Sequence, residues 1–428
     1  MSSEALLDLA IIGGGIAGVI HLHYARKAGL QVQLLEGRDA VGGLWRTLPA
    51  WQDIQICPAD WTVGDVPIAG PMQPDILANI EAWVQTFGLA PEIQLETPVH
   101  LARHDGTCWE LTTPQGTVRA RHLVAATGAH NKPIVPGVRR QSVTLTECHS
   151  SALRRPADLA GRTVMVVGGG ASSLDLLDLC IEHGARRVMW VHRGLRWFTP
   201  TGKPKAIAGS IRPLARLQAS GISIEQQNAM INADLEARYA KFGILAIRPA
   251  HPLDLRTDQL VPGRARMLAH FLDIERLHGT VAAIEGSEVE LADGHRIAAD
   301  VVLWGTGYST DLRYFADPRI AGITNMAELV RRCACVFRSA DAPNLYFPDV
   351  GLEGVGATSW AFALGARTLM SHILGTARLD MQPTPFRLNH LDFARHLVER
   401  DPAAGEHAWR DLRAMATTTP DDAPYPMP

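Results

Sequence analysis

The sequence predicts an α/β protein built from two dinucleotide-binding, Rossmann-like domains, the first discontinuous and the second carrying a partly helical insertion. Three observations predict it. An apolar strand runs directly into a glycine turn and a helix at residue 9. The same pattern returns at residue 163. Each unit is followed by an apolar strand ending in Thr-Gly, at 123–128 and at 301–307. At roughly 150 residues per domain, 428 residues allow two or three domains. The expected division is 1–155 for the first part of the first domain and 156–310 for the second domain with its insertion at 195–278. Residues 311–428 return to the first domain and end in C-terminal helices and a mobile tail.

Each element follows from its local pattern. Leu9 to Ile12 is a strand, Gly13-Gly14-Gly15-Ile16-Ala17-Gly18 the turn, and a helix runs to about Lys27 before Ala28-Gly29 ends it. Val32 to Glu36 is the next strand. Asn131 to Gly137 holds two prolines and reads as a crossover linker. In the second unit Thr163 to Val167 is a strand, Gly168 to Ser173 the turn, Leu174 to His183 a helix and Arg187 to Val191 a strand. The 195–278 stretch mixes prolines with helical segments and reads as an insertion or lid that shapes a substrate pocket. Asn344 to Phe347 is a strand and a helix begins near Ser359. Pro420 to Pro428 is proline-rich, the composition of a frayed end.

Composition excludes several classes. Hydrophobic residues are 46% and charged residues 20%, which is globular rather than disordered. A net charge of −3 gives no electrostatic reason for a nucleic-acid or anionic-membrane partner. No 18-residue apolar stretch lacks charges, and no basic run precedes the first apolar one, so neither a spanning helix nor a signal peptide is expected. The six cysteines, at 57, 108, 148, 180, 333 and 335, form no CxxC, which points to a reducing compartment, the cytoplasm, rather than to disulfides or zinc.

The glycine turns carry the chemistry. A turn between strand and helix seats a pyrophosphate on helix N-terminal N–H groups, and Gly13, Gly15 and Gly18 fill the three glycine positions, with Ile16 and Ala17 between them. Glu36 ends the next strand, where an acid bonds ribose hydroxyls. In the second turn Gly168 and Gly170 keep the first two positions and Ser173 takes the third. His192 stands where Glu36 stands in the first unit, and Arg193 follows it. An arginine pairs with a 2′-phosphate that an acid would repel, unless it is a merely solvated surface residue. An acid in one site and an arginine in the other suggest FAD first and NADPH second.

After Glu36 comes Arg38-Asp39-Ala40-Val41-Gly42-Gly43-Leu44-Trp45. With GGGIAG, EGRDAVGGLW, AATG, the proline linker, GGGASS, VHR and GTGY in that order, nearly the whole chain resembles the flavin-containing monooxygenase-like, class B flavoprotein family. The resemblance extends the cofactor contacts to Gly43, Leu44, Trp45, Val99, Ala126, Thr127 and Gly128 in the first site and to Ser172 and Thr306 in the second. It places Asp349, after the strand ending at Phe347, on the ribityl chain. It implies an NADPH-dependent monooxygenase that forms a C4a-(hydro)peroxyflavin and oxygenates a small organic substrate at a soft nucleophilic N, S or C centre. The partners it implies are that substrate and O₂, with a homodimer left open.

The departures bear on substrate. The identifying run of the family, FxGxxxHxxx(Y/F/W), survives only as His149 within Val143 to Leu153. Leu153 stands where Baeyer–Villiger enzymes place tryptophan, which lowers a ketone-oxygenase reading. The loop expected opposite the flavin, Trp51 to Pro67, lacks the asparagine that often bonds the peroxide. Gln55 or Asp60 supplies the polar group there, with Trp61 beside them, or else Asp60 caps the loop and Trp61 packs in the core. The rival readings are a Baeyer–Villiger oxygenase, a flavin disulfide reductase, disfavoured because Cys333 and Cys335 are CxC, and a protein that binds FAD without turnover.

Overall fold

The computed structural model describes residues 6–54, 61, 66–128, 130–202, 223–254, 258, 260–334, 338–348 and 358–376. The first unit is β1 (Leu7–Ile12), α1 (Ile16–Lys27) and β2 (Val32–Leu35). It continues through α2 (Gln73–Thr86), β3 (Ile93–Gln94), β4 (Leu101–His104), β5 (Trp109–Thr113) and β6 (Gly116–Ala125). The second unit is β7 (Thr146–His149), β8 (Thr163–Val167), α3 (Ala171–Glu182) and β9 (Arg187–His192). Then come α4 (Ile224–Lys241), α5 (Ala265–Ala269), β10 (Glu275–His278), β11 (Val281–Glu285), β12 (Glu288–Leu291), β13 (Arg296–Ala298) and β14 (Val301–Trp304). The chain returns with β15 (Leu345–Tyr346) and α6 (Thr358–Ile373).

Two parallel sheets result. The first runs β15-β6-β1-β2-β3, and β4 and β5 add an antiparallel meander beside β6. The second runs β10-β9-β8-β14-β7. In both, the strand that leads into the glycine turn lies centrally: Ile12 faces Leu35 and Ala125, and Val167 faces Val191 and Trp304. Central parallel strands are covered on both faces, which is why β1 and β8 read as continuous apolar runs instead of alternating. Four consecutive residues, Leu9 to Ile12, are buried, and all five of β8 are.

The carboxyl end of a central parallel strand is where a ligand crevice opens. The glycine turns sit at those ends, so the sheet topology aims both at ligand space. β15 and α6, near the end of the described chain, join the first sheet: Tyr346 pairs with Val124, and α6 packs on α1. The small antiparallel sheet β11-β12-β13 covers the second sheet, with Ile284, Val289 and Leu291 buried against Met165, Met189 and Val302. Among the described residues no helix is long and apolar enough to cross a membrane.

Candidate functional site

The first glycine turn separates packing glycines from an open one. A Cβ on Gly13 would lie 2.5 Å from the Ala126 carbonyl oxygen, and one on Gly18 would lie 1.9 Å from the Gly13 oxygen. These two glycines are demanded by the protein itself. A Cβ on Gly15 would meet only the Gly43 Cα, at 3.6 Å, an ordinary contact. The protein leaves space at Gly15, where a pyrophosphate approaches the backbone closely. Gly15 is the N-cap of α1, which has no side-chain cap and no acid in its first turn, so its end presents N–H groups and positive dipole. Glu36 is buried, with Oε2 accepting from the Gly14 N–H at 2.6 Å and Oε1 from the Arg38 N–H at 2.9 Å. Each oxygen retains a lone pair for a ribose hydroxyl. The Gly42 N–H donates to the Gly14 oxygen at 2.8 Å, laying the Gly43–Trp45 turn against the glycine loop. This geometry fits a flavin dinucleotide.

The second turn repeats the logic with one change. A Cβ on Gly168 would lie 2.2 Å from the Gly305 oxygen, whereas a Cβ on Gly170, the N-cap of α3, meets nothing within 4 Å. α3 likewise has no side-chain cap and no acid in its first turn. Ser173, in the third position, is fully buried and donates its hydroxyl to the Gly305 carbonyl at 3.1 Å. That bond fastens α3 to the turn after β14, beside Thr306, whose hydroxyl donates to the Ile134 carbonyl. Arg193 is exposed just past β9, and no partner for its guanidinium is found among the described residues. Burial, with His278 and Arg276 nearby, lowers the pKa of His192, whose Nδ1 is buried and unpartnered among the described residues. The set fits a nicotinamide dinucleotide.

A seam of buried polar contacts joins the two units, and sequence reasoning missed its main members. Arg264, at the N-cap of α5 in the insertion, donates Nη2 to Asp53 Oδ1 at 2.7 Å and Nη1 to Asp53 Oδ2 at 3.0 Å. Its Nε donates to Asp175 Oδ1 on α3 at 2.6 Å. The side chains of Arg264 and Asp53 are 2% and 0% exposed. Burial opposes the guanidinium charge, but Asp175 and Asp53 together hold its pKa above the ordinary arginine value. Gln52 adds a bond to Asp175 at 3.2 Å, Trp51 donates its indole N–H to the Leu153 carbonyl at 2.6 Å, and Arg154 donates to the Thr47 carbonyl at 2.6 Å. No short motif joins positions 53, 175 and 264. The signal available was an acid two residues after the glycine-turn serine pair, on the helix that follows the turn.

His149, the residue in which the family's identifying run survives, is buried. Its Nε2 lies 3.0 Å from the Gly307 carbonyl and its Nδ1 2.9 Å from the Ser151 hydroxyl. Burial lowers its pKa, and its ring meets Tyr308 edge-on with centroids 5.0 Å apart. It ties β7 to the Thr-Gly turn after β14.

The other sequence-derived residues divide as follows. Ala126, Thr127 and Gly128 follow β6 against the first glycine turn, and the Thr127 hydroxyl lies 3.2 Å from that of Tyr314. Leu44 is partly exposed and Trp45 packs partly on the first core, as does Val99 just before β4. Ser172 lies in the first turn of α3. Trp61 is buried in the first core, the packing role, and its indole N–H has no partner among the described residues. Gln55, Asp60 and Asp349, and the proline-rich end, lie outside the described residues.

The family model described as pyridine nucleotide-disulphide oxidoreductase matches residues 10–239, over half of the chain. The chain belongs to the pyridine nucleotide-disulphide oxidoreductase family. A Baeyer–Villiger monooxygenase of Streptomyces coelicolor is 26% identical over 338 residues, 70% of this chain and 64% of that protein, so the chain spans under two thirds of this relative's length. In fold it is similar to a flavin-containing monooxygenase from Stenotrophomonas maltophilia, with TM-score 0.58, 18% identity and coverage of 86% of this chain and 98% of that one. It is also similar to OTEMO in complex with FAD and NADP, with TM-score 0.63, 15% identity and coverage of 86% of each chain. Among the described residues, Cys108, Cys148 and Cys180 form no disulfide.

Proposed function

We propose that this protein is an FAD- and NADPH-dependent monooxygenase acting on a small organic substrate at a soft nucleophilic N, S or C centre. One oxygen atom of O₂ goes to the substrate and the other leaves as water, with two electrons from NADPH. The observation that carries the reading is the pair of glycine turns, each with its second glycine, Gly15 or Gly170, facing open space at an uncapped helix N-terminus. Bound FAD would supply the acceptance of hydride from the nicotinamide and the transfer of electrons to O₂.

The chain's part is binding, orientation and exclusion of water. The N–H groups at the start of α1 hold one pyrophosphate and Glu36 the adjoining ribose. Gly168, Gly170 and Ser172 hold the second pyrophosphate, and Arg193 pairs with a 2′-phosphate, which favours NADPH over NADH. Asp349 takes the ribityl chain. The Arg264–Asp53–Asp175 seam keeps the two dinucleotide sites in fixed relation, with domains divided at residues 155 and 310. Gln55 or Asp60 supplies a hydrogen bond beside the reacting ring, and Trp61 backs that loop from the core.

The name of the Streptomyces relative favours a second reading, oxygen insertion next to a ketone, against which Leu153 stands. Incubation with NADPH under ¹⁸O₂ tests both. Substrate-stimulated NADPH oxidation with one ¹⁸O in an amine, sulfide or indole product supports the first reading. Label in an ester or lactone supports the second. NADPH oxidation that persists without O₂ and reduces a disulfide overturns both.

A further inference from the structure

Three basic side chains meet on one face of the first sheet, and none belongs to either glycine turn. His122 lies on β6, Arg338 on the short strand Arg338–Ser339 that flanks β15, and His372 on α6. They converge on Tyr346. Arg338 stands directly opposite Tyr346 across an antiparallel pair, and Tyr346 stands beside Val124, two residues along β6 from His122. Side chains alternate along a strand, so His122, Tyr346 and Arg338 share a face. The His122 and Tyr346 rings stack with centroids 6.1 Å apart, and the His372 ring meets Tyr346 edge-on at 6.5 Å.

This cluster is short of an acceptor. Arg338 Nε is buried and has no hydrogen-bond partner among the described residues, although a guanidinium carries five N–H donors. His122 Nδ1 lies 3.2 Å from the Tyr346 hydroxyl. Tyr346 is wholly buried, so accepting from an Nδ1–H would strand its own proton. The hydroxyl therefore donates to Nδ1, and the imidazole proton sits on Nε2, a second donor with no partner among the described residues. Burial, then the charges of His372 and Arg338, pushes the His122 imidazole down to about 4. Asp8 opposes that and Arg121 adds to it. Asp8 already accepts from the Arg121 guanidinium at 2.8 Å and from the Gln31 N–H at 3.0 Å. A buried donor left unpaired costs free energy, and an anionic oxygen group supplies the missing acceptor and the counter-charge together.

We propose that Arg338 and His122, with His372 closing the α6 side, bind the oxyanion group of a small molecule, a phosphoryl or carboxylate group. The guanidinium edge formed by Nε and its neighbouring Nη takes two oxygens, and the His122 Nε2–H adds a third contact. The bound group ties β6, the edge strand and α6 together, so its occupancy raises the stability of the first domain.

Titration calorimetry of the full-length protein tests it, with inorganic phosphate and with acetate, at pH 7, constant ionic strength and saturating FAD and NADP⁺. The dinucleotides occupy the glycine turns, which also attract phosphate. One saturable event should appear. Arg338→Met should weaken it about tenfold or more, and His122→Phe about fivefold. Tighter binding of phosphate than of acetate assigns a phosphoryl ligand, and the reverse a carboxylate. In anion-free buffer Arg338→Met, which removes an orphaned donor, should melt no lower than wild type, and phosphate should raise the melting temperature of wild type alone. Should Arg338→Met fail to fold, Arg338→Lys decides: it keeps the charge without the fork and should bind more weakly than wild type. No saturable event, or equal affinity in wild type and the Arg338 variant, overturns the inference. So does an Arg338→Met protein that melts lower than wild type by the same margin with and without phosphate, since a group of the chain itself would then hold the guanidinium.

Discussion

Arg264 grips both oxygens of Asp53, at 2.7 and 3.0 Å, across 211 positions of chain and in a site closed to water. A fork-to-fork pair of this kind fixes direction as well as distance. Asp175 shares the same guanidinium, so two carboxylates lean on one cation. Arg264→Ala leaves both acids buried without a counter-charge, which costs about 3–5 kcal/mol. Thermal unfolding should show that deficit against wild type. A wild-type melting temperature in the variant would mean that the carboxylates find another partner.

The seam also marks where sequence reading stops. Both Rossmann units were legible, because a buried parallel strand, a glycine turn and a helix are local and each carries its own signal at 9–27 and 163–182. The positions of Glu36 and Arg193 just past the second strand of each unit were legible for the same reason, standing at a fixed distance from those turns. Asp53, Asp175 and Arg264 were not, because their partnership is set by how the units and the insertion pack, and no spacing encodes it. The place of Ser173 in the third glycine position was legible, but its bond to the Gly305 carbonyl depends on β14, over a hundred residues away in sequence.

Gly15 and Gly18 should fail in different ways. Gly15→Val adds a side chain to space the protein leaves open, so the fold should persist and the flavin be lost from the purified protein. Gly18→Ala drives a methyl into the Gly13 carbonyl and should destabilise the first domain by about 1–3 kcal/mol, with or without flavin. Flavin absorbance and melting temperature, taken together, separate the two. Full flavin occupancy in Gly15→Val would remove the ligand explanation for that glycine.

Arg193→Ala should raise the KM for NADPH far more than that for NADH. The loss expected is about 1.5–3 kcal/mol, the range for a hydrogen bond to a charged group. The guanidinium is exposed with no partner among the described residues, so little stability should change. An unaltered NADPH/NADH ratio would return Arg193 to an ordinary surface cation.

His21 predicts a pH response unrelated to catalysis. It is buried in α1 with Nδ1 2.8 Å from the Ala17 carbonyl, and burial pushes its pKa down to about 4. The unfolded imidazole takes up a proton below about 6.5 while the folded one refuses it, so stability is lost as pH falls from there. By pH 4 the loss from this group is about 3 kcal/mol. His21→Leu should flatten, though not abolish, the acid limb of a melting-temperature profile, since burial also lowers His23 and His122 to about 4. An acid limb identical to wild type would show that His21 is hydrated in solution.

The last prediction concerns coupling between NADPH consumed and substrate oxygenated. Asp53 and Trp61, on either side of residues 55–60, are both buried, one on Arg264 and the other in the first core. Neither of those contacts uses the side chain of Gln55 or Asp60. Removing one polar group from Gln55 or Asp60 should therefore leave the dinucleotide turns untouched, and anaerobic flavin reduction by NADPH should proceed at close to the wild-type rate. The oxygen half-reaction should suffer instead, because the reacting group near the ring loses its hydrogen-bond partner and water gains access. Gln55→Ala and Asp60→Ala should thus release more H₂O₂ per NADPH at the expense of product, measured by peroxide assay beside stopped-flow reduction. Slowed reduction in either variant would relocate that residue to the nicotinamide. Full coupling in both would assign the role to backbone donors or to the bound nicotinamide dinucleotide, since no other polar side chain in that segment was a sequence candidate.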